Sequence, residues 1–248
     1  MTRIFRAVLF QVGFVISVVV WAPVVLLLFW LKPIPRYRVI RQWGRFTTWW
    51  LKISCGLSYE VVGRENIPKT PCVILSKHQS TWETLAYQWL FPPHVWVLKR
   101  ELLWIPLLGW GMALSEPIAI ARAQKRHAID QVIQQGRKRL AAGRHVIIFP
   151  EGTRVPAGQH GRFKLGGARL AHATHSVILP VAHNAGCFWG RRTFVKQPGV
   201  IRLVIGQPIE VGHHTPAELN ARAEAWITTT TDMLEKTVKD CLAKGASR

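Results

Sequence analysis

The pattern of apolar and polar positions changes character along this chain. From Ala7 to Leu31 it runs AVLFQVGFVISVVVWAPVVLLLFWL with no charged residue, long enough as a helix to cross a bilayer core of roughly 30 Å. Pro23 is a site for a kink. A half-inserted hairpin around Pro23 fits the same run. A cleaved signal peptide fits less well, because the run exceeds an apolar region of about 7–15 residues and no A-x-A site follows. In the next stretch, RYRVIRQWGRFTTWWLKISCG, Val39, Trp43, Phe46, Trp50 and Ile53 recur at helical spacing, with Arg41, Arg45 and Lys52 on another face. That pattern predicts an interfacial helix on anionic lipid, a helix packed on its own domain, or both along its length.

Beyond residue 56 the period alternates between strand and helix. LSYEVVG, CVILS, VWVLKR, HVIIFP, VILPVA and VIRLVIGQPIEV read as strands. STWETLAYQWL, RHAIDQVIQQGRKRLAAG and FKLGGARLAHAT read as helices. A further helix starts with Thr215 as N-cap, Pro216 at N1 and Glu218 at N3. The expected fold is α/β: a mixed, largely parallel sheet covered by helices, with an N-terminal membrane-embedded helical segment. The expected division is a membrane anchor and interfacial helix over 1–56 and a catalytic α/β domain over 57–248. The Gly- and Pro-rich stretch between VWVLKR and the second helix receives no assignment.

Charge then narrows the partners. A formal net charge of +20 calls for an anionic surface or substrate, and twelve tryptophans favour a membrane over nucleic acid, for which no fingerprint is present. Arg36, Arg38, Arg41 and Arg45 follow the apolar run, which predicts a cytoplasmic catalytic domain on the inner membrane. The four cysteines form no C-x-x-C, and His172-x-x-His175 has no third ligand in view, so no metal site is expected. No G-x-S-x-G elbow marks a serine nucleophile.

Two stretches directly follow buried strands, where open α/β sheets place their ligands: KHQSTWE and FPEGTR. His78 is a base of suitable pKa for a hydroxyl proton, and a carboxylate on its other nitrogen would set the tautomer. Gly152 permits a tight turn and Arg154 offers a planar fork to phosphate, with Arg122 and Lys164 as further cations. Glu83 has two possible duties, because Ser80-x-x-Glu83 is also a capping box. One carboxylate serves both poorly, and the expectation is that Glu83 reaches a ring nitrogen of His78.

His78-x4-Glu83 and Phe149-Pro150-Glu151-Gly152-Thr153-Arg154 resemble the H-x4-D and F-P-E-G-T-R blocks of the glycerolipid acyltransferases, most closely the PlsC-like 1-acyl-sn-glycerol-3-phosphate acyltransferase family. KRELLWIPLLGWG with Ile120-Ala121-Arg122, and LPVA at 179–182, are similar to two further blocks, in order, over about 57–210. The resemblance implies direct acyl transfer from acyl-CoA or acyl-carrier protein, as co-substrate without a cofactor, to the 2-hydroxyl of lysophosphatidic acid. His78 would be the base and Glu83 would orient it. Glu151, Gly152, Thr153, Arg154, Arg122 and Lys164 would hold the acceptor phosphate. The chain departs from the family at Glu83, where aspartate is usual, and at Ala121, where Ile-Asp-Arg is usual. The rival readings are transfer to another lyso-lipid, such as lyso-ornithine lipid, and a non-catalytic protein that binds anionic phospholipid.

Overall fold

The computed structural model describes residues 2–120 and 125–246, without the side chains of 125–128 and 239–246. Arg122 lies outside the described residues. Two long helices open the chain, α1 (Arg3–Leu27) and α2 (Pro33–Cys55). There follow β1 (Leu57–Val62), β2 (Val73–Ser76), α3 (Trp82–Leu90), β3 (His94–Lys99), α4 (Leu108–Ala113) and β4 (Ile118–Ile120). Then come α5 (Lys125–Ala141), β5 (His145–Ile148), α6 (Gly166–Thr174), β6 (Ile178–His183), α7 (Ala185–Phe188), β7 (Gly199–Ile205) and α8 (Pro216–Ala246). The strand β4 and helix α4 lie in the stretch that the sequence pattern left unassigned.

Among the described residues the strands form one sheet in the order β1-β7-β6-β2-β5-β3-β4. Every neighbouring pair is parallel except β6 with β7. The fold is therefore the expected mixed, largely parallel sheet covered by helices. Strands β2, β5 and β6 are buried at every residue, because helices cover both faces; hence their unbroken apolar runs. Alternate residues serve opposite faces: Ile74 belongs to the core under α1, α2 and α3, while Val73 and Leu75 belong to the core under α5, α6 and α8. At the start of α8, Thr215 and Glu218 make the reciprocal capping box.

The first two helices form a hairpin laid along the domain. Near its start α1 is held to the end of α2, with Arg6 Nε donating to the Ser54 carbonyl at 2.8 Å and Phe10 buried in the core beside Leu51. At the other end Arg36, on α2, donates to the Phe29 carbonyl at 3.1 Å. α1 is long and apolar enough to cross a membrane, and Val12, Ile16, Val20 and Leu27 on its outer side are exposed.

The apolar positions of α2 divide between packing on the protein and exposure. Trp43 and Trp50 are half-buried against α1, donating to Ser17 Oγ and the Phe10 carbonyl. Phe46 and Ile53, from the same predicted face, are exposed. α2 also buries Gly44, Thr47, Thr48 and Leu51, and of these Gly44 and Thr48 meet Gln88 and Trp89 on α3. Helix crossings this close select for small volume over hydrophobicity: a Cβ on Gly44 would stand 2.8 Å from Gln88 Cβ. Thr47 and Thr48 are tolerated there because their hydroxyls bond back to the Gly44 carbonyl.

Two core histidines make this fold sensitive to acid. Burial lowers His94 to about 3 and His145 to about 4. Both stay neutral in the fold while an unfolded imidazole protonates near pH ~6.5. Their contribution is intact above that value and is lost as pH falls through it toward the folded values. Urea unfolding in detergent between about pH 8 and 4.5 should show the midpoint falling below about pH 6.5; a flat profile would contradict this.

Candidate active site

The strands β2, β5 and β6 are neighbours and parallel, so the segments leaving their carboxyl ends converge. From β2 come Lys77, His78, Gln79 and Ser80; from β5, Phe149 to Arg154; from β6, His183 and Asn184.

Lys77 and Glu151 join the first two segments. Lys77 Nζ lies 2.6 Å from Glu151 Oε1, both side chains fully buried. The ammonium also donates to the Gln159 carbonyl at 2.9 Å, and Oε1 accepts the Gly161 amide at 3.1 Å. The other carboxylate oxygen, Oε2, accepts the backbone N–H of His78 at 3.0 Å. Glu151 thus has a different place from the one expected. Its oxygens are engaged inside the protein, where it positions His78 rather than facing a phosphate.

His78 is the less buried of these groups, with a side chain 15% exposed. Its Nδ1 meets Glu83 Oε1 at 2.8 Å. The same oxygen accepts the amides of Gln79 at 2.9 Å and Ser80 at 2.8 Å. Glu83 therefore meets the histidine and completes the helix cap together, and the supposed competition between the two duties does not arise. Glutamate in the first turn of α3 reaches back over the chain that precedes it, so one oxygen stands where three N–H groups converge. Burial works against the Glu83 charge. The nearby His183, the hydrogen bond and charge of His78 and the Ser80 amide outweigh it, and the carboxyl is held below its usual range. An ionised Glu83 places the proton on Nδ1 and leaves the Nε2 lone pair available. The imidazole of His183 accepts the Ala185 amide and lies against the Lys77 carbonyl, and burial lowers its pKa.

The ring plane of His78 is set by stacking. Phe149 lies parallel to it at 3.9 Å between centroids, and Trp96 stacks on the far side of Phe149 at 5.7 Å. Gly152 turns the next segment at φ 69°, and Val155 N–H then donates to the His78 carbonyl at 2.8 Å, which brings Arg154 beside His78. Arg154 Nε is buried with no hydrogen-bond partner among the described residues. The Lys164 side chain runs against Gly152.

His78, Gly152, Thr153 and Arg154 line one cavity of about 570 Å³. Its lining also includes the apolar side chains of Phe14, Trp43, Leu85, Trp96, Leu108 and Met112. A smaller space between α1, α2 and α4 shares Trp43, Trp96, Leu108 and Met112 with it. The arrangement can deprotonate a hydroxyl, hold an anion close to it and take in a hydrocarbon chain.

The sequence model of the family described as Acyltransferase matches residues 58–184. The chain is 48% identical over 233 residues to the 1-acyl-sn-glycerol-3-phosphate acyltransferase of Pseudomonas aeruginosa, spanning 91% of this chain and 90% of that protein. The chain belongs to the acyltransferase family. It is also 31% identical over 179 residues to the protein of the same name from Saccharomyces cerevisiae, spanning 70% of this chain and 59% of that one. The crystal structure of PlsC from Thermotoga maritima, 24% identical, shares the fold with a TM-score of 0.78 over 94% of this chain and 98% of that one.

Sequence reasoning about this acyltransferase missed several residues that build the site. Lys77 adjoins the histidine yet reads as a solvated charge. Phe149 reads as the end of a strand. Gln79 bridges Glu235 on α8 (2.5 Å) and the Gly186 amide (3.2 Å), while Glu235 also accepts the Gly158 amide. Nothing local in α8 marks Glu235 for that duty. Arg191 and Arg192, in the α7–β7 connection, line the cavity with no motif around them.

Removing Glu151 by Ala should cost about 3–5 kcal/mol, since Lys77 is left buried without its counter-charge. The double variant Lys77→Met, Glu151→Leu should recover stability but not activity, because the His78 amide still lacks its acceptor. Urea unfolding beside turnover checks both. Unchanged stability of Glu151→Ala would deny the pair its structural role.

Proposed function

We propose that this acyltransferase moves an acyl group from a thioester, acyl-CoA or acyl-carrier protein, to the 2-hydroxyl of lysophosphatidic acid and forms phosphatidic acid. The observation that carries the reading is His78, fixed by Glu83 at Nδ1, sharing with Arg154 a cavity lined also by apolar side chains. The relatives from P. aeruginosa and S. cerevisiae carry the name of this reaction.

In this mechanism the acceptor hydroxyl lies on His78 Nε2, which takes its proton as the oxygen attacks the thioester carbonyl carbon. The imidazolium is stabilised by the ionised Glu83. When the tetrahedral intermediate collapses, the C–S bond breaks and the departing sulfur takes the proton from His78. Ester and free thiol are the products, and no acyl-enzyme forms. Arg154, with the Gly152–Thr153 turn and Lys164 nearby, holds the acceptor phosphate. Its buried, unpartnered Nε supports an anion there over a phosphate-free lyso-lipid. The acyl chain occupies the apolar wall under α1 and α2. The exposed apolar side of α1 supports a membrane-bound enzyme, and the arginines that follow α1 support the cytoplasmic face of the inner membrane.

Purified protein is assayed with lysophosphatidate or lyso-ornithine lipid and a panel of thioesters. Lysophosphatidate should be acylated and lyso-ornithine lipid should not. His78→Ala should lower kcat by about 10²–10⁴-fold. Turnover unchanged in His78→Ala would refute the base; lipid binding without turnover by any donor would refute the enzyme.

A further inference from the structure

The reaction proposed above brings two anionic molecules to one cavity, and the cavity has two separate groups of arginine. Arg154 is the inner one. It is half-buried and hydrogen-bonded backbone links its segment to His78. Arg191 and Arg192 line the same cavity but are exposed at its rim, on a segment that none of the resembling blocks includes.

The rim turn is built to present these two side chains. Thr193 N–H bonds to the Gly190 carbonyl at 3.3 Å, so Arg191 and Arg192 are the two corner residues. Arg192 has φ 60°, a conformation glycine adopts freely and an arginine at some cost. Trp189 Nε1 donates to the Thr193 carbonyl at 3.2 Å, and Gln197 N–H bonds to the Phe188 carbonyl at 2.8 Å. Lys196, itself 3% exposed, lies over the rings of Phe10, Trp189 and Phe194 at 4.6, 4.8 and 5.1 Å and fastens the segment to α1. Among the described residues no carboxylate pairs with either arginine, whereas Arg36, Arg139 and Arg144 share Glu116. A rigid turn that strains its backbone to hold two uncompensated guanidiniums over a cavity is a site for an anion.

We propose that Arg191 and Arg192 bind the phosphate of the thioester donor's carrier arm, a conclusion that rests on the acyltransferase reading. The distances within the two substrates decide which phosphate goes where. In lysophosphatidate only two glycerol carbons and an ester oxygen separate the hydroxyl from the phosphorus, so the phosphate must lie next to His78, at Arg154. In the donor the whole pantetheine arm separates the carbonyl from the phosphate. With the carbonyl at His78, that phosphate emerges at the rim.

The test measures KM for palmitoyl-CoA, palmitoyl-acyl-carrier protein and the phosphate-free palmitoyl-N-acetylcysteamine, each with lysophosphatidate, in wild type and Arg191→Ala, Arg192→Ala. The double variant should raise KM about 10-fold for whichever phosphate-bearing donor the wild type uses. It should leave the N-acetylcysteamine thioester and the lysophosphatidate KM unchanged. Arg192→Gly, which relieves the backbone, should melt no lower than wild type and yet raise the donor KM. A raised lysophosphatidate KM would give the pair to the acceptor. Weaker binding to phosphatidylglycerol vesicles with donor KM unchanged would give it to lipid headgroups. An equal loss on all three donors would make the role merely structural. Any of these overturns the proposal while the acyltransferase reading stands. A wild type that turns over none of the three overturns both.

Discussion

The geometry of the site depends on one buried ion pair. Two segments that are distant in sequence leave adjacent parallel strands, and the turns within each do not by themselves fix one against the other. Lys77 and Glu151 fix them to each other where water is excluded, and the pair is anchored further by Gln159 and Gly161. Burying two charges is expensive, and the same volume of hydrocarbon would serve stability as well. What hydrocarbon cannot supply is the second oxygen of Glu151, which sets the height of the His78 backbone through a directional bond. The one carboxylate of the FPEGTR stretch is therefore turned to the histidine.

Glu83 applies the same economy on a smaller scale. A carboxylate that received only the histidine would leave the Gln79 and Ser80 amides, just ahead of α3, unmatched in a buried place. By gathering the His78 ring and two amides on one oxygen it ends the loop, begins the helix and sets the imidazole tautomer. The extra methylene relative to the family's usual aspartate is accommodated by this reach back from the helix. Phe149 completes the constraint, since hydrogen bonds fix where the ring nitrogen lies and stacking fixes the plane of the ring.

The helical hairpin brings an exposed apolar surface and the candidate site together. Because α1 lies along the domain, its inner side walls the cavity with Phe14 while its outer side stays apolar and exposed. Trp43 belongs to both the larger and the smaller space, so the tryptophans that read as an interfacial belt also shape the path a hydrocarbon chain would take. Close packing of α2 on α3 through Gly44 and Thr48 lets the hairpin sit this near the site.

The sequence alone determined the layered α/β fold, the apolar first helix, the capping of α3 and α8, and the proximity of His78 to Glu83. Each is a local property: strand and helix periods, a charge-free run, or two residues within one turn. It also placed KHQSTWE and FPEGTR at strand ends, though not which strands were neighbours. Only the tertiary structure decided that Glu151 belongs to Lys77, that Glu235 reaches Gln79 from α8, and that Arg191 and Arg192 come to the cavity. Those contacts join residues far apart in the chain, and a lysine, glutamate or arginine looks the same in sequence whether solvated or paired. Which residues of α2 form its buried crossing was hidden for a related reason. Hydrophobic periodicity reports which side chains avoid water, whereas the buried face of a close helix crossing is chosen by volume, and Gly and Thr carry no such signal.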